Sequence, residues 1–159
     1  MNRSARLLSH GVAALLLSSG LSLADGDGGG GGGDKWRNSK LQPVQEVITL
    51  GDYTTALEKL SVLYEKDPND ADVLNLRGYS YRQMGDFDNA LRNYQAALKL
   101  KPKHRGANEY LGELYLQTGQ LAKAEERLAV LDDACFFGCK QYYDLKKAIQ
   151  AYKQENGTK

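Results

Sequence analysis

The sequence is short of the residues that carry chemistry. It holds two histidines and two cysteines in 159 residues. No HExxH, no GxSxG, no strand–glycine-loop–helix arrangement and no catalytic carboxylate pair occurs. These absences exclude the familiar metalloprotease, hydrolase and nucleotide-binding classes, so no catalytic residue, no metal and no cofactor is expected. Charge of one sign is missing too: 21 Lys plus Arg stand against 20 Asp plus Glu. A nucleic-acid binder concentrates cations on one face, so nucleic acid is not an expected partner. Lys99, Lys101, Lys103 and Arg105 alternate around Pro102 and read as a solvated turn. Long hydrophobic runs are absent as well, since the stretch from Val12 to Leu23 is too short to cross a bilayer comfortably.

That stretch has a different meaning. Arg3 and Arg6 precede it, and Ser22-Leu23-Ala24 places small residues where a signal peptidase reads. Residues 1–24 are expected to be a signal peptide cleaved after Ala24, which makes the protein exported, and periplasmic if the source is bacterial. No cysteine lies near the cleavage point to carry a lipid, so no stable membrane insertion is expected after cleavage. Removing residues 1–24 leaves 19 Lys plus Arg against 20 Asp plus Glu, still a balanced field. Residues 26–33 are glycine except for Asp27. With few side chains to bury and high backbone entropy, residues 25–36 read as a disordered linker.

The positive signal is internal repetition at a fixed offset of about 34 residues, a period that marks stacked helical hairpins. Gly51, Gly85 and Gly119 align, as do Ala56, Ala90 and Ala124, Gly78 with Gly112, Tyr81 with Tyr115, Pro68 with Pro102, and Leu60, Tyr94 and Leu128. Each series meets a demand of that geometry. Gly78, Gly112 and the alanines are small where helices approach, and Tyr81, Tyr94, Tyr115 and Leu128 fill the remaining volume. Gly51, Gly85 and Gly119 can end a first helix in the left-handed conformation. Asp52 and Asp86 suit N-caps of the second helix, with Gln120 a weaker substitute. Pro68 and Pro102 close that second helix.

The pattern resembles the tetratricopeptide-repeat (TPR) family. Leu74, Gly78, Tyr81, Ala90, Tyr94, Ala97 and Pro102 carry the resemblance in residues 71–104, and Leu111, Gly112, Tyr115, Ala124 and Leu128 in residues 105–138. Residues 37–70 form a degenerate first copy, whose opening helix is shortened by Pro43. The resemblance implies an all-α fold, a right-handed superhelical stack of three hairpins over residues 37–138. Helices are expected near 43–50, 53–66, 71–84, 87–100, 105–117 and 121–133. From Cys139 to Gln154 the apolar residues Tyr142, Leu145, Ala148, Ile149 and Tyr152 recur at helical spacing, predicting a capping helix over 139–154 and a disordered tail over 155–159.

In that family the first helices of the repeats line a concave groove. The equivalent positions here are Asn38, Asp72 and Gly106; Leu41, Asn75 and Glu109; Gln45, Tyr79 and Glu113; Ile48, Arg82 and Leu116. The capping helix adds Tyr142 or Tyr143. From these, Asn75, Tyr79, Arg82, Glu109, Tyr110 and Glu113 form the expected binding face, suited to a protein or peptide ligand. The same side chains could instead half-bury the two tyrosine rings and pair the charges across the groove. The family's clamp for C-terminal carboxylates is absent, because Leu41, Gln45, Leu76, Gly106 and Tyr110 occupy its positions.

Cys135 and Cys139 straddle the turn before the capping helix. In an exported chain a disulfide is the first reading, worth about 2 kcal/mol by loop entropy. Two alternatives stay open: a thiol redox centre, with Cys139 at a helix start, and a Cu(I) or Zn(II) site completed by His104.

Overall fold

The computed structural model describes residues 40–157. The leader expected over 1–24, the linker over 25–36, Asn38 and residues 158–159 lie outside the described residues. Seven helices and no strand occur among those described: α1 (Gln42–Thr49), α2 (Tyr53–Lys66), α3 (Ala71–Gln83), α4 (Phe87–Leu100), α5 (Arg105–Gln117), α6 (Leu121–Ala134) and α7 (Lys140–Glu155). Every helix bound falls within one residue of its expected place. Helices α1–α6 form three hairpins in an all-α stack, and α7 closes it.

Local chemistry explains the boundaries. Gly51, Gly85 and Gly119 take φ of 76°, 80° and 74°, a region costly for a side chain, and so end α1, α3 and α5. Asp52 and Asp86 then accept the N–H groups of Thr55 at 3.0 Å and Asn89 at 3.1 Å. Gln120 makes no side-chain cap. The caps of α3 and α5 are less obvious. Asp70 accepts from Asp72 N–H at 2.9 Å and Val73 N–H at 3.2 Å, and His104 Nδ1 accepts from Ala107 N–H at 3.0 Å. Asp70 and His104 therefore hold one repeat position in successive copies. A proton cannot sit on the accepting Nδ1, so Nε2 carries it and donates to Asp72 at 2.9 Å, tying the third hairpin to the second. That bond holds the Asp72 carboxyl below the usual range.

Two main cores form along the stack. The larger runs from α1 to α5 and gathers Leu41, Val44, Ile48, Ala56, Leu60, Val73, Tyr94 and Leu111. Tyr94 is its largest fully buried side chain. Gly78 makes room for it: a Cβ there would lie 2.6 Å from two ring carbons. Burying a side chain of this class contributes about 1.5–3 kcal/mol.

The repeat register predicts the same role for Gly112 against Leu128, and the structure differs. A Cβ on Gly112 would instead meet Leu145 of α7, at 2.6 and 2.7 Å from its methyl carbons. Leu128 is shorter than Tyr94, and Leu145 takes the space beside the glycine. The capping helix thus packs on α5 as well as α6, with Leu145 and Ile149 in a second core alongside Leu116, Ala124 and Leu131.

Candidate functional site

Asn75, Tyr79 and Arg82 share one face of α3, and Glu109, Tyr110 and Glu113 lie one repeat further along on α5. Helical spacing puts each set on a single stripe, and stacking of the hairpins brings the stripes together. The rings of Tyr79 and Tyr110 pack with centroids 4.9 Å apart, and Tyr53 meets Tyr79 edge-on at 6.2 Å. Arg82 lies over both rings, 5.5 Å from the Tyr79 centroid and 5.8 Å from that of Tyr110. Its guanidinium reaches Glu113 at 2.7 Å. The polar half of the stripe is therefore knitted to the aromatic half by one cation.

The expected open face is more enclosed than its composition suggests. Exposure is 1% at Asn75, 6% at Tyr79, 5% at Arg82, 3% at Glu109 and 5% at Tyr110. Only the Glu113 side chain, at 14%, keeps a modest share of surface. The tyrosines have gone into the α1–α5 core and Arg82 has paired with Glu113, which is close to the second of the two arrangements the sequence allowed. The reason is geometric: side chains on neighbouring first helices face one another as well as the groove. The other groove positions follow the same rule. Leu41 and Ile48 join the core, Leu116 is buried, and Asp72 is held by His104.

Burial sets the electrostatics. Desolvation pushes Glu109 up to about 9, helped by Glu113 and Asp144, against the pull of Lys140 and Arg82. Glu113 is raised by desolvation too, though Arg82 opposes the shift. Burial alone would lower the Arg82 guanidinium, but Tyr94 and Glu113 beside it more than offset that. Two acceptors are buried without a hydrogen-bond partner, Asn75 Oδ1 and Glu109 Oε2. They occupy the same place in successive repeats.

The lid contributes differently from expectation. Its side chains that act on the two glutamates are Lys140 and Asp144, which pair with each other at 2.5 Å. Tyr142 packs into the second core and against Tyr143, 5.3 Å between centroids. Lys140 and Asp144 were legible as the polar positions of α7, but their direction depends on how the lid docks.

The cysteines are joined as a disulfide, Cys135 to Cys139, with Cα atoms 5.5 Å apart. Gly138, at φ 80°, donates its N–H to Cys135 O at 2.8 Å and tightens the loop. Phe136 and Phe137 project from it, 90% and 92% exposed. His104 is not part of this cluster. Both its ring nitrogens are engaged at the α5 cap and Asp72, and among the described residues no group of three His, Cys, Asp or Glu is placed to hold a metal. The three-residue metal set considered from the sequence is therefore not assembled.

The Glu109 carboxyl has a measurable signature. A group raised in the folded state contributes stability that is full below its unfolded pKa and is lost as pH rises through the folded value. Between about pH 4.5 and pH 9 the wild type should therefore lose stability from this residue as pH rises. Glu109→Gln should lack that loss, so the variant gains on the wild type as pH rises. Urea unfolding at pH 5, 7 and 9 measures it; a constant gap between the two proteins would refute the assignment.

Stacked helical hairpins with a shared inner stripe and a capping helix define an α-helical repeat protein. A family model described as tetratricopeptide repeat matches residues 75–135 of the chain. Among curated proteins, the DnaJ protein P58IPK homolog A of Oryza sativa is 35% identical over 66 residues. That match covers 42% of this chain and 14% of the rice protein. Tetratricopeptide repeat protein 14 of Mus musculus is 27% identical over 100 residues, 63% of this chain and 12% of the mouse protein. The chain thus spans a small part of the curated relatives it matches. Among solved structures, the type III secretion translocator chaperone SycD of Yersinia enterocolitica aligns with a TM-score of 0.65 at 20% identity. The alignment covers 83% of this chain and 97% of SycD. SycD in complex with a peptide of the translocator YopD aligns with a TM-score of 0.61 at 20% identity, covering 73% and 88%. At that identity the likeness shows a common fold.

Proposed function

We propose that this chain is an exported scaffold whose groove, lined by α3 and α5, binds an extended segment of another protein without catalysis. The observation that carries the reading is the pair of buried, unpartnered acceptors Asn75 Oδ1 and Glu109 Oε2, repeated at one register position. Leaving a polar atom desolvated and unbonded costs roughly 1–3 kcal/mol, a cost that a ligand donor relieves. Of the expected face, Glu113 keeps 14% of its side-chain surface for a peptide to meet, with Tyr79, Tyr110 and Arg82 packed together with it. SycD, which shares the fold, has been solved in complex with a peptide. Export rests on Arg3, Arg6, the apolar stretch to Leu23 and the Ser22-Leu23-Ala24 site.

The test places a photoreactive phenylalanine analogue at Tyr79 and, as a comparison, at the exposed Glu65 of α2. In cells of origin, irradiation should give a discrete protein adduct from position 79 and none from position 65. Equal adducts from both, or none from 79, would remove the groove as the binding surface. Mass measurement of the protein recovered outside the cytoplasm tests the export reading, which predicts a chain beginning at Asp25.

A further inference from the structure

Three acidic side chains and two cations meet where α3, α5 and α7 come together. Arg82 pairs with Glu113 at 2.7 Å, and Lys140 pairs with Asp144 at 2.5 Å. Glu109 lies beside them, 3% exposed and with Oε2 buried without a hydrogen-bond partner. It stands one turn before Glu113 on the same helix face. Next to it the structure displays what such a carboxylate accepts: the Arg82 guanidinium, laid over the Tyr79 and Tyr110 rings at 5.5 and 5.8 Å and closed on a glutamate.

We propose that Glu109 receives the cationic side chain of a lysine or, better, an arginine from the bound segment, so that the groove selects peptides carrying a basic residue at one position. This rests on the groove reading above and names the chemistry it would select. A side chain fits better than a free cation, because a buried carboxylate is reached by a charge on a long apolar stem. A metal ion fits worse, since among the described residues no group of three His, Cys, Asp or Glu is placed to hold one. The neighbouring Glu113 side chain keeps 14% of its surface. Arginine suits the site more than lysine because its planar fork can bridge a carboxylate.

Charge balance gives the site a pH dependence. Glu113, Asp144, Lys140 and Arg82 all face Glu109, and in the free protein its carboxyl stays protonated up to about 9. A cation needs the ionised form, so binding expels a proton. Affinity for an arginine peptide should then rise with pH, by as much as about tenfold per unit below that value.

The experiment uses the full chain, immobilised, and a library of ten-residue synthetic peptides with each position fixed in turn as Arg, Gln, Leu or Glu. Wild type should retain peptides with Arg at one position about tenfold or more over Gln there, the range expected for a charge-assisted hydrogen bond. Retention of that set should climb between pH 6 and pH 9. In Glu109→Gln, whose fold is checked by its melting curve, both the preference and the climb should vanish. Equal retention of Arg and Gln by wild type, or an Arg preference unchanged in Glu109→Gln, overturns the proposal while leaving groove binding intact. Retention of no peptide of any composition overturns groove binding itself, and this proposal with it.

Discussion

Replacing Arg82 with methionine is expected to lower the unfolding free energy by about 3–5 kcal/mol, because it leaves Glu113 enclosed without its cation. The stem of methionine keeps much of the packing, so the loss reports the charge. Two further results would identify the cause. The loss should shrink at pH 5, where an unpaired Glu113 can take up a proton and become neutral, its carboxyl being raised by burial already. The double variant Arg82→Met with Glu113→Leu should recover most of the stability, since replacing both members of a buried pair costs far less than removing one. Urea denaturation at pH 5 and pH 8 on the three variants measures all of this. If the double variant is no more stable than Arg82→Met alone, Arg82 matters for its packing and not for its pairing.

The second large effect concerns the contact that holds the central hairpin together. Tyr94→Ala should cost about 3–5 kcal/mol by emptying a site that is 0% exposed. Gly78→Ala should cost about 2 kcal/mol, since the new methyl would stand 2.6 Å from an enclosed ring, an overlap only partly offset by the better helix propensity of alanine. The informative result is the sign in combination. With Tyr94 already reduced to alanine the obstacle is gone, and Gly78→Ala should then stabilise the protein, through helix propensity and by filling part of the cavity. Thermal unfolding of the four proteins tests it. Additive losses would mean that the glycine is required for some reason other than Tyr94.

Much of this architecture was legible in the chain. The spacing of Gly51, Gly85 and Gly119, the aspartates that follow the first two, and the prolines after α2 and α4 located the helices, because each acts on backbone within a turn of itself. Gly78 and Tyr94 were legible as a small and a bulky residue of the helix interfaces, because large and small must meet between packed helices, and the structure made them partners. The same logic failed at Gly112. Its partner came from Leu145, outside the repeat register, and nothing in the repeat pattern could signal that. The alternative metal reading of His104 fell for a related reason. A histidine near two cysteines in a repeat-based map suggests a ligand, but it occupies the N-cap place that Asp70 holds one repeat earlier. The candidate site was legible as a set of residues and not as a state. Asn75, Tyr79, Arg82, Glu109, Tyr110 and Glu113 were named from their positions, and the structure brings them together.

By itself, then, the sequence determined the hairpins, their order and the stripe of side chains that faces inward, since propensity, capping and steric complementarity operate over a few residues or one repeat. Tertiary structure alone decided which of those side chains are paired and which are left over. Arg82 could have met Glu109 or Glu113, and it is the packing of α5 on α3 that gives it Glu113. Lys140 and Asp144 pair within α7 at i,i+4 spacing, and the docking of α7 through Leu145 brings that pair toward the two glutamates. Desolvation and charge pairing depend on distances of a few ångströms between elements far apart in the chain, and it is those distances that leave Glu109 buried with an unbonded oxygen.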